Sequence, residues 1–204
     1  MAIDRSKGAT PATMLLQQSG VAFTVHQFDH HLAKGDYGGA AAEALGVDPE
    51  QVFKTLLVAV ESLAAPSIAV GIVPVSGQLS LKEMAAAVGA KRAEMCDPAV
   101  AERVTGYVVG GISPFGHKKQ LPTAIDDTCL IFDTIFVSGG KRGFDIEIAP
   151  DDLIRILNAV AAPIGTRREQ AVGDRSVSWR AVGGLPRDAR APRSERPGSA
   201  PRDG

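Results

Sequence analysis

Leu130-Ile131-Phe132-Asp133-Thr134-Ile135-Phe136-Val137-Ser138-Gly139-Gly140-Lys141-Arg142-Gly143-Phe144-Asp145-Ile146-Glu147-Ile148 is the stretch that decides the fold class. Residues 130–137 and 144–148 are apolar runs of strand length, and the glycine-rich segment 139–143 between them reads as a turn. A connection that short joins antiparallel strands, because a parallel pair needs a crossover of a dozen residues or more. The sheet is therefore not a strictly alternating β-α-β array.

Outward from the hairpin, helix and strand signals are interspersed. Thr10-Pro11 opens a helix that Gly20 closes. Residues 21–28 alternate as a strand, with Val21, Phe23 and Val25 on one side. Residues 30–39 read as a loop, and residues 40–45 as a short helix ended by Gly46. Asp48-Pro49-Glu50-Gln51 predicts a capped helical turn, followed by an apolar strand at 55–60 and a second at 67–73. Ser80-Leu81-Lys82-Glu83 is a capping box for a helix reaching Val88, and Asp97-Pro98 opens another that ends near Gly106. Residues 151–160 form a last amphipathic helix. The expected architecture is α/β: a single domain over residues 8–162, with a mixed β-sheet flanked by helices.

The 204 residues suffice for one domain with a full core, and the 45% hydrophobic and 22% charged composition is ordinary for a globular protein. The net charge of −1 hides an asymmetry. Residues 165–204 hold nine Arg and no Lys against five acidic residues, a balance of +4 that leaves the rest of the chain at −5. Such a body does not attract a polyanion as a whole, so any RNA contact must be local. The segment 165–204, rich in Arg, Pro, Gly and Ser, has too few aliphatic residues to offset the entropy of ordering, and is expected to be a disordered tail. Its arginines leave an RNA-binding arm as the alternative.

Cys96 and Cys129 fit no metal or disulfide spacing, which makes a cytoplasmic protein the expectation. The N-terminus has no apolar signal core, and the longest apolar stretch, 56–60, is far too short to cross a bilayer.

The chemistry-bearing residues form no familiar nucleophile or metal motif. His30 and His31 sit in a polar loop without ligand partners at useful spacing, and both cysteines read as small core residues. Three places stand out. Lys54 is a lone charge ahead of the apolar run 55–59, either aimed into a cleft or a solvated strand end. Gly110-Gly111-Ile112-Ser113-Pro114-Phe115-Gly116 is either a loop that brings backbone N–H groups close to a ligand or a tight turn. Ser138 and Asp145 flank the hairpin turn.

Taken together, Val52-Phe53-Lys54-Thr55-Leu56, Thr105-Gly106-Tyr107-Val108-Val109-Gly110-Gly111-Ile112-Ser113-Pro114-Phe115-Gly116 and Phe136-Val137-Ser138-Gly139-Gly140-Lys141-Arg142-Gly143 resemble the YbaK/EbsC family. Ala41-Ala42-Glu43-Ala44-Leu45-Gly46 and Lys91-Arg92-Ala93-Glu94-Met95 fit as well, and the match runs over about residues 10–160. The resemblance implies a curved mixed sheet, shared with the editing insertion of bacterial prolyl-tRNA synthetases, and hydrolysis of mischarged tRNA. In the YbaK branch the substrate is Cys-tRNA(Pro): cysteine and proline are too close in size for one pocket to separate, so a second site edits.

By the same resemblance Lys54 and Gly110 are the catalytic positions, and Gly111, Ile112, Ser138 and Asp145 bind substrate. A family tyrosine falls on Phe28, which keeps a ring face and loses the hydroxyl. The implied mechanism has the substrate's own thiol attack its ester carbonyl, with no cofactor and no metal. The implied partners are the acceptor end of mischarged tRNA and prolyl-tRNA synthetase, with neither membrane nor DNA involved. The alternatives are an Ala-tRNA(Pro) or broad-specificity deacylase, and a non-catalytic module that binds tRNA or a synthetase.

Overall fold

The computed structural model describes residues 9–29, 37–61 and 67–167, so His30, His31 and residues 168–204 lie outside the described part. In chain order the elements are α1 (Pro11–Ser19), β1 (Phe23–Gln27), α2 (Tyr37–Leu45), β2 (Val52–Glu61), β3 (Ser67–Pro74), β4 (Gly77–Leu79), α3 (Leu81–Ala87), β5 (Arg92–Met95) and α4 (Pro98–Thr105). Then come β6 (Thr123–Asp126), a 3₁₀ turn (Asp127–Ile131), β7 (Ile135–Lys141), β8 (Phe144–Ile148), α5 (Pro150–Leu157), β9 (Val160–Ala162) and β10 (Gly165–Arg167).

Helix starts obey local chemistry. The Thr10 hydroxyl accepts from the Thr13 N–H at 3.2 Å, and the Thr13 hydroxyl accepts from the Thr10 N–H at 2.9 Å, closing a reciprocal box ahead of Pro11. The Ser80 hydroxyl caps α3, and one Asp97 carboxylate oxygen accepts from both Ala99 and Val100 to cap α4.

The main sheet runs β1-β8-β7-β2-β3-β6-β9, with β5 added to β2. The pairs β2–β7, β3–β6 and β6–β9 are parallel and the rest antiparallel, so the mixed, curved sheet is as expected. Alternation along β2 sorts its residues between two layers. Phe53 and Leu57 pack with Leu16 of α1, Ala101 of α4 and Leu153 of α5 on one face. Val58 and Val60 pack with Met84 and Ala85 of α3 on the other, where Val52 and Phe136 meet Ala41 and Ala42 of α2.

One irregularity of this sheet positions the site. Strand β7 pairs with β2 only at Val52↔Phe136 and Phe53↔Val137, and β5 joins the same edge only from Val58↔Met95 to Glu61↔Arg92. Between them, residues 54–56 of β2 present an edge with no strand partner among the described residues, and the Leu57 carbonyl accepts from the Cys96 N–H at 3.0 Å.

The structure corrects several boundaries. Asp48-Pro49-Glu50-Gln51 is a turn with no helix: Asp48 Oδ1 accepts from the Glu50 N–H, while the Gln51 amide reaches the Thr134 carbonyl. Strand β2 therefore starts three residues before 55 and carries Lys54 inside it. Helix α2 begins at Tyr37, inside the expected loop. Leu130 and Ile131 are not strand residues; the Asp126 carboxylate caps a 3₁₀ turn there and leaves Ile131 72% exposed. Helix α5 stops at Leu157, because Asn158 takes a left-handed φ of 50°.

The largest correction concerns the domain's end, expected at 162 with the tail starting at 165. Ile164 is fully buried beside Met84 and Ala124. The Ile164 carbonyl accepts from Ser80 N–H at 2.7 Å, the Gly165 N–H donates to the buried Asp126 carboxylate, and β10 pairs with β4. A chain cut after Pro163 loses all of this, whereas one cut after Arg167 keeps it. Losing a buried isoleucine costs about 2–4 kcal/mol. The 163-residue chain is thus expected to melt roughly 5–15 °C below the 167-residue chain in a calorimetric comparison; equal melting temperatures would refute the boundary.

Candidate functional site

A cleft of about 560 Å³ opens at the unpaired edge of β2. Its walls come from β2, α2, the junction of β5 and α4, the loop after α4, and the β7–β8 hairpin. The volume lies within the roughly 300–1,000 Å³ typical of small-molecule sites. Six of the seven residues expected to form a site, Phe28, Lys54, Gly110, Ile112, Ser138 and Asp145, line this one cleft.

Lys54 is half-buried as the third residue of β2, not at a solvated strand end, and its Nζ donates to the Gly77 carbonyl of β4 at 2.6 Å. Strand β4 is in turn held by β10, so the strand at the domain's end supports the carbonyl that fixes this cation.

Ser138 and Asp145 face each other across the hairpin, and His26 of β1 sits opposite Asp145 on its other side. Directly opposed residues share a face of the sheet, and this face is the one covered by α2. Asp145 is only 7% exposed. Burial pushes its carboxyl up to about 6, with the charge of His26 pulling the other way. His26 bonds to the Glu147 carboxylate at 2.9 Å, whose other oxygen accepts from Thr134 at 2.8 Å; these bonds hold Glu147 below the usual carboxylate range.

Gly110 lies in a tight turn in which the Gly111 N–H donates to the Val108 carbonyl at 3.0 Å. Its φ of 85° is left-handed, which glycine alone takes without strain. Gly111 is the expected residue that does not line the cleft. It is buried against the hairpin, and a Cβ there would lie 3.0 Å from the backbone nitrogen of Arg142 and the carbonyl carbon of Lys141. Its part is to let the loop touch the hairpin backbone.

Phe28 lines the cleft and is tied to the hairpin by its N–H, which donates to the Gly143 carbonyl at 3.0 Å. The same residue also borders a shallower polar cavity formed with Asp29, Lys141 and Arg142.

Sequence reasoning missed several wall residues. Thr55 contributes a buried hydroxyl with no hydrogen-bond partner. Met95 and Cys96 enter through β5, a four-residue strand that only its pairing to β2 reveals. Cys129 is core, as expected, whereas Cys96 is half-buried on the cleft wall. Burial and the neighbouring Asp97 raise the Cys96 thiol, so it is a weak nucleophile. Both described histidines are engaged elsewhere, His26 with Glu147 and His117 with the Ser113 carbonyl. No group of three metal-ligating side chains converges among the described residues.

Asp145 gives a pH signature. Folding favours its protonated form, so its stabilising contribution is complete below the ordinary value of 3.8, falls as pH rises, and is gone above about 6. Asp145→Asn should match wild type in unfolding free energy at pH 4 and exceed it at pH 7.5, by on the order of 2–3 kcal/mol. A difference that does not vary over this range would show that Asp145 is not shifted.

Comparison with known proteins identifies the family. Residues 37–156 match the model of the aminoacyl-tRNA editing domain. The chain is 36% identical over 171 residues to EbsC of Enterococcus faecalis, a protein with a proposed Cys-tRNA(Pro)/Cys-tRNA(Cys) deacylase activity; the match covers 82% of this chain and 99% of that one. It is 29% identical over 143 residues to the multifunctional Ser/Thr-tRNA deacylase ProXp-y of Escherichia coli strain K12, covering 70% of this chain and 83% of that one. Among solved structures, a proposed trans-editing enzyme for prolyl-tRNA synthetase superposes with a TM-score of 0.67 at 22% identity, covering 79% of this chain and 98% of that one, and so shares the fold. The chain belongs to the aminoacyl-tRNA editing domain family.

Proposed function

We propose that this protein is a cytoplasmic deacylase that edits mischarged tRNA in trans, and that its substrate is Cys-tRNA(Pro). The observation that carries the reading is a cleft with a fixed cation, a buried carboxylate and a glycine turn, in which the wall's own thiol is raised and neither described histidine, His26 or His117, bonds to a hydroxyl or thiol. Such a site holds and polarises an ester but does not attack it. The similarity to EbsC supports cysteine as the amino acid.

In the proposed reaction the thiol of the esterified cysteine loses its proton to solvent and attacks its own carbonyl carbon. The bond from that carbon to the terminal ribose oxygen breaks, and the oxygen takes up a proton. A strained cyclic thioester leaves and is hydrolysed to cysteine. The Gly110 N–H stabilises the oxyanion. Lys54 holds the terminal nucleotide or the developing charge, and Ser138 and Asp145 bind the amino acid or ribose. Phe28 and Ile112 supply apolar surface. A free thiol has a pKa of about 8.5, so only a few per cent is thiolate at neutral pH, and positioning must supply much of the rate. The acidic body attracts tRNA poorly, which favours delivery by prolyl-tRNA synthetase as partner.

Side-by-side deacylation of Cys-, Ser- and Ala-tRNA(Pro) tests the mechanism. Cysteine should be released fastest, and Cys96→Ala should keep the wild-type rate. Serine is nearly isosteric, so its loss should appear in the chemical step. Comparable release of serine would point to an activated water and to the specificity of the Escherichia coli relative. Binding without hydrolysis of any substrate would leave a tRNA- or synthetase-binding module.

Lys54→Ala should lower single-turnover deacylation about a hundredfold, the usual effect of removing one charge-stabilising contact, with the fold retained by circular dichroism. Wild-type turnover in that variant would remove Lys54 from the chemistry.

A further inference from the structure

Arg142, at the tip of the β7–β8 hairpin, reaches across to the loop after α4 and donates twice to one acceptor. Its Nε lies 3.1 Å and its Nη2 2.7 Å from the Val109 carbonyl oxygen. The N–H of the same residue is held from the other side, donating to Glu102 Oε1 of α4 at 2.8 Å. Side chains from two separate elements therefore fix a single turn residue.

That carbonyl belongs to the peptide linking Val109 to Gly110. The described chain has no cis peptide bond, so the carbonyl and the Gly110 N–H point in opposite directions from one plane. Arg142 does not line the cleft; Gly110 does. A carbonyl directed at Arg142 thus leaves the Gly110 N–H directed away from it. We infer that Arg142 is a positioning residue that aims the Gly110 N–H at the substrate by gripping the opposite end of the same peptide.

The turn gives this grip something to decide. With the Gly111 N–H bonded to the Val108 carbonyl, and Gly110, at φ 85°, in the third position, the turn is of type II. A type I turn keeps the same closing bond but rotates the central peptide by roughly half a turn, and glycine tolerates both. Backbone sterics alone therefore leave two orientations open to the Gly110 N–H. The forked charge-assisted pair from Arg142 selects one and, by drawing electron density toward the carbonyl, makes the N–H a better donor.

The inference takes its catalytic consequence from the deacylase reading and its substance from the turn geometry, and two measurements on the full chain keep them apart. In single-turnover deacylation of Cys-tRNA(Pro), Arg142→Ala should lower the maximal rate about ten- to a hundredfold, somewhat less than the 10²–10³ for losing a donor outright. The tRNA concentration for half-maximal rate should change less than about threefold, since the contact matters only in the transition state. Arg142→Lys, which offers no fork, should fall between, and millimolar guanidinium should restore part of the rate to Arg142→Ala but none to Lys54→Ala. In ¹⁵N–¹H spectra the Gly110 amide should shift or split in Arg142→Ala.

An unchanged rate and an unchanged Gly110 amide would overturn the inference. So would a loss confined to tRNA affinity with a shallower salt dependence, which would make Arg142 a phosphate contact. If wild-type protein releases no amino acid from any tRNA, the deacylase reading falls, and the Gly110 amide alone decides the role of Arg142.

Discussion

Everything at the site depends on β2 sharing one edge between two partners that do not meet. Strand β7 leaves after Phe53 and β5 arrives at Val58. A continuous ladder would have bonded residues 54–56 along that edge and closed the sheet. Because the ladder is broken, backbone and side chains of a central strand, otherwise buried on both faces, open onto a cleft. The rigidity of a central strand is thereby lent to Lys54, and sites on strands hold their geometry more closely than sites on loops.

The glycines of the second motif and the turn of the third form one unit. Gly111 brings the loop against the backbone of Lys141 and Arg142, and Arg142 returns its side chain to Val109. Loop and hairpin lie about 30 residues apart in sequence, yet the placement of Gly110 relative to Ser138 and Asp145 is set by this contact. The covering helix α2 completes the arrangement by burying Ala41 and Ala42 on Phe136, which keeps the carboxylate face dry enough to raise Asp145.

Local chemistry was the legible part of the sequence. Thr10-Pro11, Ser80 and Asp97-Pro98 cap helices as expected, and the hairpin that excluded a purely parallel sheet is present. What could not be read was short or satisfied at long range. Strands β4, β9 and β10 have three residues each, too few to show a period, and exist because each pairs with a distant segment. Gln51 looked like part of a capping box but spends its amide on Thr134, 83 positions away. Leu130 and Ile131 looked like strand because they are apolar, but the Asp126 carboxylate winds them into an exposed turn. Lys54, Gly110, Ser138 and Asp145 could be nominated through a family resemblance. That they share a cleft with Thr55 and Cys96 follows only from how β2 is flanked.

The support of Lys54 by β4, and of β4 by β10, has a consequence for how the molecule comes into being. A chain leaves the ribosome N-terminus first, and its early segments begin to organise before the late ones exist. Lys54 and Gly77 emerge early, but the strand that fixes the Gly77 carbonyl ends at Arg167, and the partner of β1 is β8, more than a hundred residues further on. Pairings of such sequence separation form slowly. Until Arg167 has left the ribosome, the nascent chain lacks the strand that pairs with β4, and with it the support of the carbonyl that holds Lys54.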